Sequence, residues 1–379
     1  MNPLTDKRPR YLFVDALRGI AAVAVMFHHL LHSTVLEPAL RHILPAVLQH
    51  VATYGAMGVQ IFFVISGFVI AHSLARVDPT LPAIGHFILR RQLRLDPPYW
   101  ASIILILFLA GAERMIPSLT WRPMPTPAGV FANAFYFQNI LHITPISEVA
   151  WTLCLEIQFY LAFIGVLALG RAAVRGHWRP DRVPTFVWIA VGGFGIASLK
   201  WNLRPAIGTT WLGAYWCYFA VGVLICWALS HRMPRPVVDV VLAAMVAATI
   251  WRHSPQLIAG CATALAIYGV GLLGRLSTWF SARPLQWLGA ISYSLYLVHL
   301  PILSVVMRGG YKLTHDNRVA ALGWMFLAAA LSLIAAYFFH RFIERPSMNL
   351  ASSLSRNPQP AKVESATIEP PDVEMQAAL

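Results

Sequence analysis

Repeated apolar runs of bilayer length constrain this chain more than any other feature it carries. They fall at about 11–32, 52–75, 98–113, 149–170, 184–200, 209–229, 236–252, 255–274, 286–307 and 319–341. A hydrocarbon core of about 30 Å takes about 20 residues of helix to cross. The runs therefore predict an all-α polytopic membrane protein with about ten transmembrane helices. Charge content agrees, because only 12% of the residues are charged and 58% are hydrophobic. A soluble domain carries about twice that charge.

The basic residues orient the chain. With the N-terminus in the cytoplasm, about two thirds of the 29 lysines and arginines fall on the cytoplasmic side, which predicts both termini inside (N-in/C-in). The formal net charge of +13 is then a matter of topology and anionic lipid headgroups. No basic patch interleaved with aromatics sits on a soluble module, so no nucleic-acid partner is expected. The lipid bilayer is the expected environment. The N-terminal basic residues precede an apolar run without a small-residue cleavage site, which reads as an uncleaved anchor. The organisation predicted is a cytoplasmic segment at 1–10, one membrane domain over 11–348 and a disordered cytoplasmic tail over 349–379, polar and rich in proline. Cys154, Cys217, Cys226 and Cys261 have neither metal-ligand nor disulfide-framework spacing and read as small apolar fillers. No metal site is expected. A long loop over about 114–148 carries Pro117, Pro123, Pro125, Pro127 and Pro145, with an apolar patch from Val130 to Ile143 suited to re-entering the membrane or capping the bundle.

Titratable side chains inside such spans are costly and mark functional sites by default. The first span holds Arg18 at one end and the pair His28, His29 further in. Eleven helical residues make about three turns, so His29 stands above Arg18 on one stripe, about 16 Å deeper. Before the third span, Arg90, Arg91 and Arg94 crowd next to Pro97-Pro98, a donor set suited to phosphate. The paired prolines are expected to stop the helix there, leaving the arginines at a rigid elbow. Positive-inside anchoring accounts for the charge but not for its crowding. In Trp151-Thr-Leu-Cys-Leu-Glu156-Ile-Gln-Phe-Tyr160, Glu156 descends to about the depth that His29 reaches from the other side. A Glu156–His29 pair would orient the imidazole for general-base work, with a structural salt bridge as the plainer alternative. Gly289-Ala-Ile-Ser292-Tyr293-Ser294-Leu-Tyr296-Leu-Val-His299 brings a further histidine near mid-membrane, where helix–helix hydrogen bonding is the competing role. The pair Ser66-Gly67 reads as a packing contact. For Glu344 the default partner is Arg341, three residues away.

Taken in order, these pieces resemble the acyltransferase 3 family of integral membrane O-acyltransferases. The resemblance rests on Arg18-Gly19 with His29, on Phe62-Phe63-x-x-Ser66-Gly67-Phe68, and on Arg90-Arg91-x-x-Arg94-x-x-Pro97. It continues through Trp151-x-Leu-x-x-Glu156-x-x-Phe159-Tyr160, Ser292-Tyr293-x-x-Tyr296-Leu-x-His299-x-Pro301 and Glu344-x-Pro346. It implies transfer of an acyl group, commonly acetyl, from cytoplasmic acyl-CoA to a hydroxyl of a surface or secreted saccharide, with a bacterial inner membrane as the location. Acyl-CoA would be a co-substrate, with no bound cofactor. It also implies that His29 is the acid/base group, assisted by Glu156, and that Arg18, Arg90, Arg91 and Arg94 hold the donor. Trp151, Tyr160, Tyr293 and His299 would complete substrate binding. The second histidine, His28, departs from the pattern and leaves His28 or His29 open as the base. Many relatives append a soluble esterase-like domain, which this chain is not expected to contain. Two other classes would share the buried histidines: a transporter or flippase of lipid-linked glycan, and a haem-binding bundle. Against the first, no paired Gly/Pro-interrupted half-helices recur in two halves.

Overall fold

The structure, a computed structural model, describes residues 10–75, 77–114, 124–175, 177–179, 181–202, 211–315 and 317–354. Every regular element among them is helical: α1 (Leu12–His32), α2 (Glu37–Ile43), α3 (Ala46–Gly55), α4 (Gly58–Ser73), α5 (Leu81–Arg114), α6 (Pro127–Ala134) and α7 (Trp151–Ala173). They are followed by α8 (Thr185–Asn202), α9 (Leu212–Leu229), α10 (Arg235–Arg252), α11 (Pro255–Leu272), α12 (Arg283–Thr314) and α13 (Arg318–Phe339). A π-helical turn (His340–Glu344) then leads into α14 (Arg345–Ser353). Local chemistry sets several starts. The side chains of Thr126, Ser254 and Asn317 accept from the backbone N–H groups of Gly129, Leu257 and Ala320, and proline follows at the first position of α6 and α11.

Among the described residues, eight helices are long and apolar enough to cross a membrane. The two further spans expected at 184–200 and 236–252 are present as α8 and α10. The apolar stretch of α8 is short (Thr185–Trp201), and α10 carries Arg235, Asp239 and Arg252 within its 18 residues. The expected 1–10 segment lies, except for Arg10, outside the described residues, as does the tail from 355 onward. Residues 349–353, expected to belong to that tail, instead complete α14.

Pro97-Pro98 does not stop the third span. α5 runs unbroken for 34 residues through both prolines. A proline removes the hydrogen bond to the carbonyl four residues back, here those of Leu93 and Arg94. The Ser347 hydroxyl on α14 donates to both carbonyls, at 2.5 and 3.3 Å. A hydroxyl from a neighbouring helix thus restores what the ring takes away, which is how proline survives inside membrane helices. Of the loop patch 130–143, α6 and the residues after it cap the bundle: the Tyr99 hydroxyl donates to the Asn133 carbonyl and Tyr136 to Asp96 Oδ1, both at 2.9 Å. Burial raises the Tyr136 phenol above its ordinary range, so it stays a donor to that carboxylate.

Two close backbone crossings organise the bundle. Gly67 on α4 packs against the backbone of Phe219 on α9, and Gly222 on α9 against Val64 on α4, so the packing role read for Gly67 holds. Around this crossing Phe159 stacks on Phe219 with centroids 4.2 Å apart, and α9 is buried on all faces. The second crossing joins α1 to α12. A Cβ on Gly19 would meet the Gly289 backbone nitrogen at 2.7 Å, and a Cβ on Gly289 would run into the Asp15 carbonyl. The four cysteines are buried free thiols.

Candidate functional site

The end of the bundle where α1 begins is here the basal end, and the opposite end the apical one. A basal cavity opens among α1, α4, α5, α7 and α12. Arg18, Arg91 and Arg94 line it together with Glu156, Ser66, Tyr293 and Tyr296. Arg91 arrives because α5 continues through the prolines and lies along α7. Its Nη2 donates to Glu156 Oε1 at 2.9 Å, and its guanidinium lies 4.3 Å from the centroid of the Tyr160 ring. Ser66 donates to the same carboxylate oxygen at 2.7 Å, and the Tyr160 hydroxyl donates to it as well.

The expected Glu156–His29 pair is therefore replaced by a Glu156–Arg91 pair. Sequence spacing places Glu156 and His29 at similar depth but says nothing of direction around the helix axis, and Glu156 faces α5. A second expectation also fails. Glu344 does not pair with Arg341; it is 2% exposed and accepts from Ser294 Oγ at 2.6 Å, with His340 Nδ1 at 2.9 Å. The π-helical turn moves it off the ordinary i,i+3 geometry and turns it inward, where its charge acts on Arg94.

An apical cavity is lined by Ser33 and Thr34, by Ser147 and Glu148 ahead of α7, by Leu109 on α5, and by Leu300, Ser304 and Arg308 on α12. The two cavities thus share α1, α5 and α12. Between them on α1, above Arg18 and below Ser33, stands His29; between them on α12, above Tyr296 and below Leu300, stands His299. The two imidazole rings face each other with centroids 5.3 Å apart. His29 Nδ1 is 3.1 Å from Ser33 Oγ, and Glu148 is the acidic group acting on the ring. The His28 ring also lies against His29, edge-on with centroids 5.2 Å apart, and its Nδ1 is 3.0 Å from the Ala52 carbonyl on α3.

Of the residues read from sequence, the structure gathers Arg18, Arg91, Arg94, Glu156 and Tyr293 on the lining of the basal cavity, with Tyr160 behind them on Glu156 and Arg91. His29 and His299 meet each other further along α1 and α12 and do not line it, nor do Arg90 and Trp151. Trp151 packs instead on Phe63 and Tyr215, with centroids 6.4 and 5.8 Å away. Sequence reasoning missed Ser66, read only as packing, although a hydroxyl in mid-span is itself a signal. It also missed Thr152 and Tyr296, whose hydroxyls lie 2.8 Å apart, and it missed Ser33 and Glu148. Among the described residues no group of three or more His, Cys, Asp or Glu side chains could hold a metal ion.

Long apolar helices and an arginine-lined cavity among them define a multi-pass membrane protein with a cationic site inside its bundle. The chain belongs to the acyltransferase 3 family, whose sequence model, described as an acyltransferase domain, matches residues 11–341. That membership decides for an enzyme over the transporter and haem readings. The chain is 26% identical to the peptidoglycan O-acetyltransferase OatA of Listeria monocytogenes, with 88% of this chain and 55% of that protein aligned. It thus spans about half the length of OatA. It is 25% identical to the acyltransferase MdmB of Streptomyces mycarofaciens over 96% of this chain and 98% of that one. The exopolysaccharide production protein ExoZ of Rhizobium meliloti is 28% identical over 78% and 90%, respectively. No solved structure matches.

Proposed function

We propose that this protein moves an acyl group, acetyl in the first instance, from cytoplasmic acyl-CoA to a hydroxyl of a saccharide at the opposite face of a bacterial inner membrane. The observation that carries the reading is that a cation-lined cavity and a cavity with several hydroxyls lie toward opposite ends of α5 and α12, with His29 placed along the chain between Arg18 of the first and Ser33 of the second. The names of OatA and ExoZ support a saccharide acceptor for this chain.

In this reading the basal end is cytoplasmic. The phosphates of the donor lie against Arg18, Arg91 and Arg94, which Glu156 and Glu344 hold in place, and the pantetheine arm extends toward His29. The acceptor enters the apical cavity. His29 removes the proton of its hydroxyl as the oxygen attacks the thioester carbonyl. The new C–O bond forms, the C–S bond breaks, and the proton passes from His29 to the departing thiolate. General-base assistance of this kind contributes about 10²–10⁴-fold, and alignment of the reactants adds to it.

The test is transfer of radiolabel from acetyl-CoA in inside-out membrane vesicles, with wild type set against His29→Ala. Label should enter the glycan fraction with the wild type and stop with the variant, whose yield in the membrane should be unchanged. Full transfer by His29→Ala would remove His29 as the base, and a wild type that transfers no label to any glycan would remove the reading.

A further inference from the structure

The Gly19–Gly289 crossing sets α1 and α12 side by side, with Asp15 and Leu288 also in contact there. Ten residues further along each helix come His29 and His299, so the crossing determines that these two side chains meet. His299 is fully buried. Its Nδ1 lies 2.9 Å from the Leu295 carbonyl. A carbonyl can only accept, so Nδ1 carries the hydrogen and Nε2 of the neutral ring presents a lone pair. That Nε2 is buried without a hydrogen-bond partner. A buried acceptor left alone opposes folding, and such orphans in native proteins point to a donor that arrives during function.

Two polar side chains face the ring. Tyr296, with its centroid 6.0 Å away, has its hydroxyl committed to Thr152 and to the Val149 carbonyl. His29 is the other. A centroid separation of 5.3 Å allows facing ring nitrogens to come within about 3 Å once the rings turn toward each other. We infer that His299 is the positioning residue of His29, its Nε2 accepting a hydrogen bond from the Nε2–H of His29, while His29 Nδ1, which faces Ser33 at the apical cavity, takes the acceptor's proton and passes it on to the thiolate. His299 thereby does for the imidazolium what a carboxylate does in a catalytic triad. Glu156 cannot do so, because Arg91, Ser66 and Tyr160 occupy it. A neutral partner stabilises the charged ring without adding a second buried charge. The hydrogen bond becomes charge-assisted as the proton moves onto His29, which is where it accelerates the reaction.

This inference rests on the transfer reaction proposed above. The experiment compares wild type, His299→Phe and His299→Gln in proteoliposomes, measuring kcat, KM for acetyl-CoA and the melting temperature. The phenylalanine ring fills the space without an acceptor and should lower kcat at least about tenfold, with KM for acetyl-CoA unchanged. The glutamine amide oxygen can accept and should recover most of that loss. Should His299→Phe fail to purify, His299→Asn replaces it, since its shorter amide carries the same acceptor out of reach. Equal activity of His299→Phe and wild type overturns the inference, as does an equal loss in the acceptor-bearing and acceptor-deficient variants. A wild type without transfer activity sinks the reaction itself and the inference with it. An active wild type beside an unaffected His299→Phe sinks the inference alone.

Discussion

The basal and apical cavities touch the same three helices, α1, α5 and α12, yet they are built from opposite materials. At the basal end, Arg18, Arg91 and Arg94 meet on one surface, and Glu156, held by Ser66 and Tyr160, braces Arg91. Three cations beside two carboxylates, Glu156 and Glu344, leave positive charge for an anion to neutralise. At the apical end the polar lining is mostly hydroxyl, from Ser33, Thr34, Ser147 and Ser304, with Glu148 and Arg308 at opposite ends of the charge scale. A neutral polyhydroxylated ligand suits that lining better than a phosphate does. The difference teaches that one bundle can hold two chemically unlike linings toward opposite ends of the same helices, as the proposed transfer between two unlike substrates requires.

The sharpest way to break that arrangement is to separate the helices that carry the pair. Gly289→Val drives side-chain atoms into the Asp15 carbonyl and should cost about 3 kcal/mol or more, moving His299 away from His29. Transfer activity should be lost together with a marked drop in melting temperature. An active, stable variant would show that the crossing does not set the register. Next in size, the two cavities should separate kinetically. Arg91→Ala removes a charge-assisted donor and should raise KM for acetyl-CoA about tenfold, with a smaller change in KM for the acceptor. Ser304→Ala should do the reverse, changing acceptor KM by a few-fold and leaving the donor's alone. Equal effects of both variants on both substrates would mean that the cavities are not separate subsites. The smallest effect concerns the scaffold beneath the basal cavity. Ser347→Ala leaves the Leu93 and Arg94 carbonyls without their hydroxyl and should cost about 1 kcal/mol. A lower melting temperature with a modest loss of donor affinity is expected, because α5 would then bend at Pro97, just apical of the arginines.

The six motifs, the apolar runs and the placement of Arg18, His29, Arg91 and Glu156 inside them were legible because helical period and depth are local properties. A residue's height in the membrane and its face on its own helix follow from counting along the chain. What counting cannot supply is which helix that face meets. Glu156 and Arg91 are 65 positions apart, and Ser347 lies 254 positions from Leu93. Pro97-Pro98 read as a stop because the hydroxyl that cancels its effect arrives from a helix near the other end of the chain. Helical period favours His29 over His28 but leaves both open, and only the packing shows that His28 reaches the Ala52 carbonyl on α3 while His29 lies against His299 on α12.

The amino-acid sequence by itself determined an all-α membrane bundle and the depth of its buried titratable groups, which follow from composition and period, and its family, which follows from six motifs in order. The tertiary structure alone decided that Glu156 braces an arginine and not a histidine, that α5 survives its prolines, and that His29 meets His299. Those outcomes depend on the angle at which each helix faces its neighbour. That angle is set by close crossings such as Gly19 on Gly289, which bring together residues that no local pattern relates.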